Sequence, residues 1–224
     1  MSKGIFITGT GTDIGKTYVT ALLVKKMRQA GYDNGYYKAA ISGAATVAES
    51  DAGYVNQVAG INEAEDLILS YLYPEAVSPH LAAKINNRPI CREKVLADYG
   101  QVCARYPYVT VEGSGGIICP IRHDETARYL LEDVVNWLHL PVLIISRSGL
   151  GSINEAVLTA FYLKQKGFRT KGLILNHYQG GLMEEDNVRM MEELTGLKVL
   201  ALVRDGDQEL ALEARQLEAL YEEI

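Results

Sequence analysis

The segment Gly9-Thr10-Gly11-Thr12-Asp13-Ile14-Gly15-Lys16-Thr17 decides how the rest of this chain reads. It follows a short apolar run at 5–8 and opens an amphipathic pattern at 16–30. In that pattern Val19, Leu22, Leu23 and Met27 share one face and Gly31 ends it. A glycine-rich turn between strand and helix lets backbone N–H groups point inward around a phosphate, and the helix start adds partial positive charge. On this reading residues Asp13, Ile14, Gly15, Lys16, Thr17 and Tyr18 hold a nucleotide. Lys16 reaches the β- and γ-phosphates, and the Thr17 hydroxyl ligates Mg²⁺. The spacing is G-x₅-G-K-T counted from Gly9, with Thr10 where the commoner G-x₄-G-K-[ST] pattern has glycine. An ordinary turn that happens to contain Gly-Lys-Thr is the plain alternative. No G-x-G-x-x-G is present, so a dinucleotide site is weaker still.

Outward from this loop, short apolar runs alternate with helical patterns. Strands are expected at 35–40, 108–112, 141–146, 171–176 and 198–203. Helices are expected at 124–139, 152–166, 182–195 and 208–223. Residues 41–105 read as two or three helices, including 78–87 and 92–105. The run Pro141-Val-Leu-Ile-Ile-Ser146 is apolar throughout, as a strand covered on both faces demands. The alternation predicts an α/β fold: one P-loop NTPase-type domain over 1–224, three-layered around a mainly parallel sheet. Ligands then sit at the carboxyl ends of the strands, just after Thr8, Ala40, Glu112, Ser146 and Asn176.

With 224 residues, 48% of them hydrophobic, the chain can bury one sizeable core. The net charge of −6, with no Lys/Arg-rich block, argues against nucleic acid as a partner. No run approaches the roughly 20 apolar residues that span a bilayer, so no membrane partner is expected. Cys91, Cys103 and Cys119 are widely spaced, and no histidine pair shows metal-ligand spacing; a reducing cytoplasm fits.

Three more charged residues fall at the predicted functional edge. Lys38 ends a strand and is followed by Ser42-Gly43. Alone it reads as a surface lysine before a plain turn; beside Lys16 it would help neutralise a transferring phosphoryl group. Asp51 taken alone reads as a helix N-cap, and beside Thr17 and Glu112 as a metal ligand. Glu112 ends an apolar strand and leads into Gly113-Ser114-Gly115-Gly116, which is harder to explain as structure alone. Thr17, Asp51 and Glu112 together offer the hard oxygens that Mg²⁺ prefers.

The combination resembles the dethiobiotin synthetases. The long phosphate loop is similar to theirs, as are Lys38 with Ser42-Gly43, Val-Glu-Gly-Ser-Gly-Gly at 111–116 and Leu-Gly-Ser-Ile-Asn at 150–154. The resemblance implies Lys38 and Lys16 as catalytic residues, with Ser42 and Gly116 at the diamine substrate. It implies Gly113, Ser114 and Gly115 near the nucleotide, and Asn176 and His177 at the base. Gly151, Ser152, Ile153 and Asn154 would grip the substrate carboxylate across a homodimer interface. The implied reaction uses ATP, Mg²⁺ and CO₂ to close 7,8-diaminononanoate into a cyclic urea. The chain departs from that family at Ala39, where proline is usual, and at 201–207, where Gly-x-Ile-Pro is usual. The second departure leaves base preference open.

Two rivals share the fold. Partition-type ATPase switches carry an extra lysine early in the loop, and this chain has none between Gly4 and Gly15. Amidoligases of the cobyrinate type need a glutaminase domain, for which 224 residues leave no room.

Overall fold

The computed structural model describes residues 2–224. In chain order the elements are β1 (Lys3–Gly9), α1 (Lys16–Gln29), β2 (Asn34–Ser42), α2 (Asp51–Val58), α3 (Glu65–Ile68), β3 (Leu69–Tyr73), α4 (Pro79–Ile85) and α5 (Arg92–Arg105). Then follow β4 (Tyr108–Gly116), β5 (Pro120–His123), β6 (Arg128–Leu130), α6 (Leu131–Leu138), β7 (Val142–Arg147), α7 (Ser152–Gln165), β8 (Thr170–Asn176) and α8 (Leu182–Thr195). The chain closes with β9 (Val199–Leu202), α9 (Ala214–Glu218) and β10 (Glu222–Glu223).

The central sheet runs β3-β2-β4-β1-β7-β8-β9, and every neighbouring pair on this path is parallel. The apolar runs of β1, β7 and β8 are fully buried, as sheets covered on both faces require. Successive residues of β2 show the two coverings. Lys38 reaches Asp51 on α2, whereas Tyr37 donates to the Val95 carbonyl on α5, so helices lie on opposite faces. The expected three-layer α/β architecture is therefore present. The chain leaves β1 for β2, returns to insert β4 between them, and later adds β7 on the other side of β1. Such a reversal opens a crevice at the carboxyl ends of the strands.

Three expectations are corrected. The helix at 124–139 begins only at Leu131; its first part is the β5–β6 hairpin. Asp124 Oδ1 accepts from the backbone N–H groups of Thr126 and Ala127, a local turn that competes with helix, and Asp133 caps the Leu130 N–H where the helix does start. The closing helix at 208–223 shrinks to Ala214–Glu218. Beyond it Tyr221 is buried, sharing hydrogen bonds with Thr110 and Asn34, and β10 pairs antiparallel with the start of β1. The segment 208–223 is thus not one continuous helix. Finally, 41–105 contains the edge strand β3 as well as four helices.

Candidate functional site

The phosphate loop is held from outside by its carbonyls. Arg147, at the end of β7, donates to the Asp13 carbonyl at 2.7 Å. Asn176, at the end of β8, donates to the Ile14 carbonyl at 3.0 Å. No backbone N–H of residues 12–15 is bonded elsewhere among the described residues, so these donors stay available to an anion. Gly15 is needed twice over. Its φ is 78°, and an added Cβ would lie 1.9 Å from Asn176 Nδ2. Ile14 turns its side chain inward against Gly9, and Tyr18 donates its hydroxyl to the Asp207 carbonyl.

Beside the loop lies a cleft of about 690 Å³ whose walls include Lys16, Thr17, Lys38, Ser42, Asp51, Ser114 and Gly115. Its polar centre is Glu112, fully buried beneath the cleft. Glu112 Oε1 accepts from Thr17 Oγ1 at 2.8 Å and from Lys38 Nζ at 2.8 Å; Oε2 accepts from the Tyr36 hydroxyl at 3.0 Å. Lys38 Nζ also donates to Asp51 Oδ2 at 2.6 Å. Ser50, not Asp51, caps α2 by accepting from the Gly53 N–H, which leaves the Asp51 carboxylate free to face Lys38.

The two lysines differ in kind. Burial is the largest influence on Lys38 and lowers its pKa, but Glu112 and Asp51 together outweigh it and the net shift is upward. Lys16 is shifted down, first by burial and then by repulsion from Lys38. Burial pushes the Asp51 carboxyl up, yet Lys38, Thr17 and Lys16 bring it net below its ordinary range. Lys38 is thus a cation held in a cage, while Lys16 is a cation with more to gain from an arriving polyphosphate.

Two carboxylates and a hydroxyl around one point fit a hard divalent cation such as Mg²⁺. Among the described residues no group of three or more His, Cys, Asp or Glu side chains is placed to hold a metal ion, so such a site would rest on these two carboxylates and the hydroxyl.

Other predicted residues lie further out. Ser42 donates to the Val77 carbonyl on the cleft wall. Gly116 opens on an adjoining hollow of about 300 Å³ that shares Thr12, Gly115 and Cys119 with the cleft. Gly113 is packed under Phe6 and Leu131, where a Cβ would collide. Asn176 and His177 stand behind Gly15 instead of in the cleft. The buried Asn176 Oδ1 has no partner among the described residues, and His177 Nδ1 meets Asp205 at 2.5 Å. Gly151, Ser152, Ile153 and Asn154 start α7 outside both hollows. Arg147 and Tyr36 escape the sequence reading. Arg147 directly follows the apolar run of β7, at the edge where ligands gather. Tyr36 is two residues before Lys38, so it shares that side of β2.

A family model described as an AAA domain matches residues 3–208. The chain is 46% identical to the ATP-dependent dethiobiotin synthetase BioD of Brachyspira hyodysenteriae, over 99% of this chain and 100% of that one. It is 44% identical to the protein of the same name from Clostridium botulinum strain Eklund 17B, over the whole of both chains. The chain belongs to the dethiobiotin synthetase family. Solved structures extend the likeness of fold beyond this family. The MinD of Pyrococcus horikoshii, solved with Mg-ADP, superposes with a TM-score of 0.56 at 15% identity, covering 98% of this chain and 96% of that one. The MinC:MinD complex of Aquifex aeolicus gives 0.59 at 14%, covering 92% and 83%.

Proposed function

We propose that this chain uses ATP to carboxylate 7,8-diaminononanoate and close it to dethiobiotin, with residues 1–224 working as one domain. The observation that carries the reading is a single cleft walled by both Lys16 and Lys38, with Thr17, Asp51 and Glu112 converging beneath them. CO₂ adds to one amine, which loses a proton and becomes a carbamate. A carbamate oxygen attacks the γ-phosphorus; the bond to ADP breaks and a carbamic–phosphoric anhydride forms. The second amine attacks the carbonyl carbon, loses its proton and expels phosphate, closing the urea.

Lys16 and Lys38 offset negative charge on the transferring group, and the free N–H groups of the loop cradle the phosphates. Thr17, Asp51 and Glu112 would hold Mg²⁺, which when bound neutralises phosphate charge. Ser42 and the Gly116 backbone orient the diamine. Ser114 and Gly115 border the nucleotide beside the packed Gly113. The free Asn176 Oδ1 suits a base amino group, with His177 beside it. Gly151, Ser152, Ile153 and Asn154 act from a second copy of the chain on the substrate carboxylate. The exposed apolar Leu150, Leu158 and Phe161 beside them favour that homodimer. No helix among the described residues is long and apolar enough to cross a membrane, in keeping with a cytoplasmic biosynthetic enzyme.

The test is nucleoside triphosphate hydrolysis with ATP, GTP, CTP and UTP, each with and without diaminononanoate and CO₂. Hydrolysis that appears with the diamine and yields dethiobiotin is expected. Hydrolysis driven by DNA or lipid vesicles, with no dethiobiotin formed, would overturn the reading.

A further inference from the structure

Glu112 is a buried carboxylate whose two oxygens do different work. Oε1 is shared by Thr17 and Lys38, both of which line the cleft. Oε2 has one donor among the described residues, the phenol of Tyr36, at 3.0 Å. Tyr36 is itself fully buried and takes no part in the cleft wall. It is rooted in β2, whose residues Tyr36, Tyr37 and Lys38 pair in register with Thr110, Val111 and Glu112 of β4. The phenol therefore meets the carboxylate from a fixed strand, on the side away from the ligand.

The consequence follows from what a loaded site does to Oε1. Lys38 and Thr17 are the groups that would turn toward phosphate and cation. When they do, the bond from Tyr36 is the protein contact Glu112 keeps. A carboxylate is broadly free about its last torsion, so without that bond its plane is set by the mobile partners alone.

We propose that Tyr36 is a positioning residue: it locks Oε2 of Glu112 so that Oε1 alone is presented to the catalytic cation. The inference rests on the proposed metal role of Glu112. It is tested with Tyr36→Phe, which removes one hydroxyl and keeps the ring. Mn²⁺ is titrated into the ADP-saturated protein and followed by electron paramagnetic resonance, corrected against ADP alone. Mn²⁺ binding is expected to weaken about tenfold, the factor carried by an ordinary charge-assisted hydrogen bond. The Mg²⁺ concentration for half-maximal turnover should rise in parallel, while the KM for diaminononanoate stays within about twofold on the same argument. In a Glu112→Gln background, Tyr36→Phe should add no further loss.

A Tyr36→Phe protein that melts earlier but binds Mn²⁺ as the wild type does would reduce the tyrosine to packing and overturn the inference alone. Additive losses in the double variant would do the same. A wild-type protein that takes up no Mn²⁺ in the ADP complex would overturn both this inference and the metal site it rests on.

Discussion

The cleft around Glu112 and the region behind Gly15, where we propose the base sits, are built in opposite ways. At the phosphate end Glu112, Lys38 and Tyr36 are almost fully buried and joined by hydrogen bonds from two strands and two helices. Behind Gly15, at the proposed base end, His177 and Asp205 meet on the surface, with side chains 42% and 67% exposed. A buried charge network cannot lose one member cheaply, because the partner left behind stays desolvated. A surface pair in water and salt contributes little. On the proposed assignment the chemistry sits where substitutions are costly, and base choice where they are mild. The departure from Gly-x-Ile-Pro at 201–207 falls in the mild region.

The hardest test of this contrast is Lys38→Ala. Turnover is expected to fall about 10²–10³-fold, the loss typical of removing one group that stabilises transition-state charge. Nucleotide affinity, measured by calorimetry well below the melting point, should change little because Lys16 and the loop remain. A normal turnover rate would discard the catalytic role.

Gly15→Ala comes next. The new Cβ meets Asn176 at 1.9 Å and must adopt a φ of 78°. Destabilisation of about 2–3 kcal/mol is expected in urea unfolding. Asn176→Ala, which opens that space, should recover part of it; no recovery would mean the backbone angle alone is at fault.

A smaller effect concerns acid. The folded Asp51 pKa lies below its ordinary value of 3.8, so the unfolded chain takes up the proton first as pH drops. The stability Asp51 contributes is therefore present above 3.8 and is lost as pH falls through the lowered folded value. Melting temperatures of wild type and Asp51→Asn should converge over that window, and curves that stay parallel would show that Asp51 is not linked to folding.

The smallest change is expected from Asp205→Ala at the base end. Melting should shift by no more than the roughly 1 kcal/mol of a surface pair. The KM ratio between ATP and the other nucleotides should move while the ATP turnover rate holds. A large fall in turnover would erase the contrast between the two ends.

Much of the phosphate end is legible along the chain, because the loop and its lysine are local. Residues 9–17 sit between an apolar run and an amphipathic run, and nothing distant is needed to read Lys16 or Thr17. Glu112 is legible for a similar reason, as a charge interrupting apolar strand and glycine. Asp51 is half legible: Ser50 before it competes for the cap, and only the contact with Lys38 decides between them. Arg147 and Tyr36 are not read in advance, since an arginine after a strand and a tyrosine within one have ordinary surface and core uses. The hairpin at 120–130 is hidden because its turn depends on one Asp124 side chain.

By itself the sequence determined the alternation of strands and helices, the parallel sheet that follows from it, and a lysine at the start of the first helix. Those properties come from periodicity and local backbone chemistry, which act over a few residues. Tertiary structure decided that Lys38 faces Glu112, that Tyr36 holds the far oxygen, and that the last segment abandons its helical pattern. Each of these depends on contacts between positions far apart in the chain. Pairing of β2 with β4 aligns the first two, and hydrogen bonds from Tyr221 to Asn34 and Thr110 draw the chain end onto β1.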